Sequence, residues 1–323
     1  MAVINVNELV RQKEYDFLRK EKQLGDNIIF LVVAGSHAYG LSTPDSDVDV
    51  RGVALETPEA LFGLDNFESY NDESTDTVIY SLKKFVQLTM KGAPNMLELL
   101  YTRPEDIIYV SPVGKLLLEN RDLFVSKRIY ATIRGFTKNS LRRLEKDVLN
   151  NPKKANKDAM HLIRLYREGI EVLKTGSFST YQTENISEFM AIRNGKYTYG
   201  NKLDLAFYDY ITKLENELED AYQCSNALCE TVDRNRINDL MIQIYCDAYN
   251  VKINTRINTR GARISPFFSS KGQTFFILLY CFYFLYLDIV LSDPHNRCPT
   301  ASRFTCQLCF SKSTIRRNCK GDG

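Results

Sequence analysis

Asp45, Asp47 and Asp49 fall within five positions of the stretch AGSHAYGLSTPDSDVDVRG, residues 34–52. Carboxylates that close repel one another unless a frame separates them or a partner neutralises them. Part of that frame is visible in the flanking residues. Ahead of the acids, NIIFLVVAG (27–35) is a short apolar run, rich in β-branched residues and closed by glycine; this predicts a buried strand. Within the stretch, Asp47-Val48-Asp49-Val50-Arg51 alternates polar and apolar with period two, which predicts a second, half-buried strand. Residues two apart on a strand share a face, so Asp47, Asp49 and Arg51 would project together while Val48 and Val50 pack behind them.

Three chemistries compete for such a stretch. A calcium loop wants acids at positions 1, 3 and 5, glycine at 6 and glutamate at 12. Asp45, Asp47, Asp49 and Glu56 fill the acidic slots, but position 6 is Val50, where the sharp turn needs glycine. A plain solvated loop leaves the alternation with Val48 and Val50 unexplained. Two parallel carboxylates with a cation between them explain it, and hard oxygen ligands suit magnesium or manganese shared with substrate phosphates. Gly35-Ser36, in a turn from the first strand into a short helix, would then offer backbone N–H groups and a hydroxyl to an anion. Arg51, on the aspartate face, would pair with a carboxylate or a phosphate.

The surroundings predict an α+β fold: a small mixed sheet with helices, followed by a mainly helical region. The spacing predicts a helix over 7–25 and a strand opening at Asp76 that runs into a helix continuing past Gly92 to Tyr101. Residues 1–110 thus form one expected domain and 111–250 a helical one, in which 126–150, 157–176 and 203–223 show the clearest helical spacing. Between Lys127 and Arg167, twelve Lys or Arg face only three acids. That density is either a solvated helical surface or a groove for a polyanion. His161, Arg164 and Arg167 are the candidate groove residues; a structural role for the lone histidine is the competing reading. The whole chain carries only +2, which argues neither for nor against nucleic acid.

The chain of 323 residues has eight cysteines and an N-terminus without a signal-peptide core. This predicts reduced thiols and a cytoplasmic protein, with Cys224, Cys229 and Cys246 buried as small apolar residues. Residues 251–323 change character. The apolar run from Thr274 breaks at Asp288, short of the roughly 20 residues of a membrane span, so no stable membrane association is expected. Cys298, Cys306, Cys309 and Cys319 give only a weak zinc signal. No function is placed in this segment, and low order is expected there.

The combination Gly35-Ser36, Gly40, Ser46-Asp47-x-Asp49 resembles the signature of the DNA polymerase β-type nucleotidyltransferase superfamily. The continuation Arg51-Gly52-Val53, the run from Asp76 to Phe85 and Pro94-Asn-Met-Leu-Glu-Leu-Leu100 resemble the RNA-repair-associated branch, found also in T-even-like phages. So does HLIRLYREGIEVLKTG (161–176), and the likeness covers roughly residues 28–248. It implies that Asp47 and Asp49 hold two Mg2+ (or Mn2+) ions about 3.5–4 Å apart. Gly35 and Ser36 would grip the triphosphate, and a third carboxylate would come from the next strand. Asp76 is the candidate for it, as a metal ligand or as acceptor of the nucleophile's proton, with Asp72 and Glu73 as rivals.

The expected reaction moves a nucleoside monophosphate from an NTP to a hydroxyl and releases pyrophosphate. An RNA end is the favoured acceptor, in a host cytoplasm if a phage encodes the chain. Two alternatives stand beside it: a nucleotide- or RNA-binding module that keeps the fold without turnover, and a regulator whose basic helices bind RNA without the aspartates.

Overall fold

The apolar run after Asn27 becomes the backbone of the sheet. In this computed structural model, which describes residues 6–177 and 179–251, β1 (Ile28–Ala34) is buried along almost its whole length. β2 (Asp49–Ala54) pairs antiparallel with it, as does β5 (Ile107–Val110) on its other side. β4 (Thr77–Ser81) lies parallel to β2, and β3 (Ser69–Asp72) closes the sheet antiparallel to β4. The order is β3-β4-β2-β1-β5. A strand that is apolar at every position suits a central place with both faces covered. Leu31, Val50 and Ile79 face a smaller core with Tyr15, Leu18 and Leu24. Phe30, Val32 and Val53 face the larger core that the helices complete.

The short helices follow the chain round this sheet. α1 (Val6–Leu9) and α2 (Phe17–Lys20), with a 3-10 turn between them, replace the single helix expected over 7–25. The Arg19 guanidinium reaches back to the carbonyl of Val10 and to Asp16, which holds the break. α3 (Gly35–Ala38) follows β1, and α4 (Pro58–Phe62) follows β2. The helix expected to run through Gly92 is two: α5 (Leu82–Thr89) and α6 (Pro94–Leu100). Gly92 turns left-handed at φ +75° and Pro94 starts the second helix, so the pattern is cut where both breakers stand.

α7 (Pro112–Glu119) leads to the long antiparallel pair α8 (Arg128–Asn150) and α9 (Pro152–Thr175). α10 (Ile186–Arg193), the two-residue strands β6 (Thr198–Tyr199) and β7 (Lys202–Leu203), α11 (Leu205–Cys224) and α12 (Arg234–Tyr249) complete the described chain. α10 and α11 pack on α9, while α12 packs on α7. One large core runs from Phe30 through Phe85 and Leu97 to Ile163, Leu214 and Ile244. It therefore spans both sides of the boundary expected near residue 110.

Cys224 and Cys229 are exposed and Cys246 half-buried, against the expectation of three buried thiols. Cys224 ends α11 and Cys229 lies in the loop after it, where no packed face needs them. Among the described residues no helix is long and apolar enough to cross a membrane. The apolar run after Thr274 and the four late cysteines lie outside the described residues.

Candidate active site

Where β1 ends, the chain must turn at once to reach α3, and Gly35 does this at φ +62°. A Cβ there would sit 1.9 Å from Oδ2 of Asp49. The Gly-Ser turn is thus pressed against the carboxylate at the start of β2, closer than any side chain allows. Ser36 is buried beside it. The loop between α3 and β2 carries Asp47. β2 begins at Asp49, so the strand is shorter than the alternation predicted and Asp47 stands just before it rather than within it. Asp49 and Arg51 do share the face that looks toward the helices, with Val50 buried on the other.

These residues open onto a cavity of about 330 Å³. Gly35, Ser36, Asp47, Asp49, Arg51 and Asp76 line its sheet side; Asn95, Glu98, Thr102, Lys157, His161 and Thr180 line its helical side. Of the three acids in the β3–β4 turn, Asp76 alone reaches it. Asp72 accepts from the hydroxyls of Ser74 (2.6 Å) and Thr75 (2.9 Å) and is committed to the turn itself. Asp76 adopts a left-handed φ of +45°, a conformation aspartate tolerates better than most residues.

Arg51 ties the two strands together. Its Nη2 donates to Oδ1 of Asp49 at 3.0 Å and to Oδ1 of Asp76 at 2.9 Å, and Nη1 donates to the carbonyls of Val50 and Asp76. Burial and a hydrogen bond shared with Asp76 push the Asp49 carboxyl up to about 6, against the pull of Arg51 and Lys157. Burial pushes on Asp76 too, but the bond with Asp49 and the Arg51 charge outweigh it and hold Asp76 below the usual range. Sharing one guanidinium with Asp76, Asp49 therefore holds its proton to a higher pH than an ordinary carboxyl does.

Among the described residues no three of His, Cys, Asp and Glu are gathered closely enough to hold a metal ion as they stand. The donor chemistry nevertheless fits a hard divalent cation: three carboxylates face one cavity, and two of them are too close to be charged together without a cation. The cation they share in this structure is the Arg51 guanidinium.

The loop bearing Asp47 is held from the helical side. Arg193, the last residue of α10, donates to the carbonyl of Leu41 at 2.7 Å and lies 3.4 Å from Thr43 Oγ1 and 3.5 Å from Ser46 Oγ. His37 Nε2 approaches the carbonyl of Ser46 at 3.3 Å. Nothing in the sequence pointed to Arg193, because its partners lie about 150 positions away.

α9 presents Lys157, His161, Arg164 and Glu168 along one stripe, at spacings of four, three and four residues. Lys157 stands at the cavity. His161 lines it too, edge-on to the Tyr39 ring, and burial followed by the nearby Arg164, Lys157 and Arg193 pushes its pKa down to about 3, so the ring is neutral. Arg164 lies beneath. Its Nη1 meets Glu98 at 2.9 Å and Glu168 closer still, its guanidinium stacks 3.6 Å above the Tyr39 ring, and Tyr39 O–H donates to Glu98 at 2.5 Å. Arg167 is turned roughly 120° round the helix from His161 and pairs with Glu188 (2.5 Å) and Tyr210 (2.6 Å). Of the three expected groove residues, then, His161 reaches the cavity and the two arginines are committed to internal carboxylates. Lys157, one of the many basic residues of the sequence, takes the place at the rim.

The profile of the RNA repair pathway DNA polymerase beta family matches residues 9–243. An uncharacterized protein of Methanocaldococcus jannaschii is 25% identical over 238 residues, 68% of this chain and 94% of its own length. An uncharacterized protein of Enterobacteria phage T4 is 35% identical over 103 residues, 28% of this chain and 31% of its own. The crystal structure of a nucleotidyltransferase-like protein from Exiguobacterium sibiricum overlaps 67% of this chain and 74% of its own. The TM-score is 0.24 at 10% identity.

Proposed function

The chain belongs to the RNA repair pathway DNA polymerase beta family, and on that premise we propose that it is a metal-dependent nucleotidyltransferase acting on an NTP and an RNA hydroxyl. The observation that carries this reading is the convergence of Asp47, Asp49 and Asp76 with the Gly35-Ser36 turn on one cavity, faced by Lys157. Carboxylates on one wall and cations at the rim match a triphosphate that arrives with divalent metal.

In the proposed reaction the acceptor oxygen attacks the α-phosphorus, the bond from that phosphorus to the β-phosphate oxygen breaks, and pyrophosphate leaves with the electron pair. Asp47, Asp49 and Asp76 would hold two Mg2+ or Mn2+ ions. Such ions supply charge neutralisation of the phosphates and acidify the attacking hydroxyl. Ser36 O–H and the backbone of the Gly-Ser turn would donate to phosphate oxygens. Arg51, released from its carboxylates, and Lys157 stand where they would meet the same group. Asp76, the most exposed of the Arg51 partners at 53%, would take the hydroxyl proton. Neutral His161 with Asn95, Thr102 and Thr180 would form the wall against the nucleoside.

A module that binds nucleotide without turnover is the second reading, and the Arg51 bridge between Asp49 and Asp76 favours it. The full chain, incubated with each α-labelled NTP, magnesium or manganese and a mixed RNA pool, separates the two. Transfer of label to RNA by the wild type, absent in Asp47→Ala/Asp49→Ala, supports the transferase. Metal-dependent NTP binding without transfer supports the module.

A further inference from the structure

The basic residues that do not enter the cavity are unevenly placed. Building on the transferase reading, we propose that the corner where α8, α9 and the β6–β7 hairpin meet is the docking surface for a single-stranded acceptor, with Tyr199 as its stacking platform. The hairpin is anchored at that corner. Thr198 O–H donates to Asn156 near the start of α9, and Asn201 Nδ2 donates at 3.3 Å to the carbonyl of Leu149 at the end of α8. Its register sets Tyr199 directly opposite Lys202. Side chains directly opposed on antiparallel strands share a face, so a ring and an ammonium stand side by side.

The Tyr199 ring is 86% exposed and contributes little to the core. An unburied aromatic with a cation beside it is the arrangement on which an unstacked base and its phosphate are held. The cations continue from there. Lys153 and Lys154 are exposed on the first turn of α9, and the charges of Arg143, Lys154 and Lys157 act on the half-buried Asp158. Two acids stand on this path: Asp147, answered by Lys154 at 2.6 Å, and the half-buried Asp158. Lys153 to Lys157 spans about 6 Å along α9, and Lys157 lines the cavity with the three aspartates. Exposed Lys202, Lys153 and Lys157 thus mark a basic path from the hairpin to the cavity, with Asp147 and Asp158 beside it. A solvated helical face accounts for the lysines of α8, but not for the exposed ring or for a lysine that lines the cavity. A duplex keeps its bases stacked inside and offers the ring nothing, so the surface selects a single strand.

Fluorescence anisotropy of a labelled single-stranded RNA 12-mer with the full chain tests this. Tyr199→Ala is expected to weaken binding about tenfold, and Tyr199→Phe to keep it within about twofold. Lys153→Ala/Lys154→Ala should lower the slope of log affinity against log salt by about 1–2. Lys138→Ala, which removes an exposed lysine of α8 remote from the corner, should change neither. A duplex of the same sequence should bind more weakly than the single strand. The proposal is overturned if Tyr199→Ala binds like wild type, if Lys138→Ala weakens binding as much as the lysine pair, or if no strand binds at low salt. Tighter binding of an acidic peptide or of the duplex would also overturn it, the former by assigning the corner to a protein partner. Binding in the expected pattern without label transfer would leave this surface standing and remove the transferase reading; transfer with Tyr199→Ala unimpaired in binding would do the reverse.

Discussion

Two places in the molecule set one arginine between two carboxylates, and they behave as opposites. At the sheet, Arg51 joins Asp49 and Asp76 at the wall of a cavity, with Asp76 about half exposed. Under the cavity, Arg164 joins Glu98 and Glu168, all at or below 10% exposure, with the Tyr39 ring as a lid. Burial decides what each can do. An open cluster exchanges its guanidinium for another cation at little cost, because water and ligand stand ready to replace each bond. A buried one has no replacement, so its members act as fixed structure and breaking it leaves an uncompensated charge in the core. The same residue types therefore make a ligand site in one place and a foundation in the other.

Removing a member of each cluster breaks the comparison most sharply. Arg164→Met should cost about 3–5 kcal/mol of stability in urea unfolding. If it costs less than about 1 kcal/mol, the foundation reading fails. Asp49→Ala should leave the unfolding midpoint nearly unchanged while label transfer falls at least about 10²–10³-fold. Equal losses of stability in the two variants would erase the distinction between them.

Smaller effects sharpen it. Arg193→Gln loosens the loop that carries Asp47 without touching the cavity, so metal affinity should fall about tenfold, with partial recovery in Arg193→Lys; an unchanged affinity would show that the loop holds its shape without the clamp. Burial, partly offset by Arg164, and then Glu98 push the Glu168 carboxyl well above its ordinary value. A carboxyl raised by folding stabilises at low pH, and that contribution fades as pH climbs past the unfolded value of about 4.3. Wild type should therefore lose stability between pH 4.5 and pH 8 relative to Glu168→Gln, as read from urea midpoints; parallel curves would mean that Glu168 is ionised. The smallest change is expected of Arg51→Gln, which should alter stability by no more than about 1 kcal/mol and tighten manganese binding a few-fold, since the carboxylates lose their internal cation.

How far the sequence reached follows the same division. Gly35, Ser36, Asp47, Asp49 and Arg51 could be picked out because they lie within 17 residues of one another, around two strands whose apolar run and alternation show in the residues; Asp76, 25 residues beyond Arg51, was reached through the family resemblance. The strands at the sheet edges were not visible. Ser-Tyr-Asn-Asp of β3 lacks apolar alternation because one side of it faces solvent, and Ile-Ile-Tyr-Val of β5 is short and follows a proline turn. Arg164 read as a groove residue because helical spacing shows which face a residue takes but not what covers that face. Its partner Glu98 lies 66 positions away, and the partners of Arg193 about 150. Contacts of that range are made by packing, and no local pattern announces them.

The central claim is that the open cluster is a site for divalent metal and triphosphate, and manganese binding tests it most directly. The full chain would be titrated with Mn2+ in the presence of a non-hydrolysable NTP and free ion read by electron paramagnetic resonance. Two ions bound per chain, both lost in Asp47→Ala/Asp49→Ala with the fold intact, is the predicted result. Manganese binding undiminished in that variant would contradict the account and assign the three aspartates no metal.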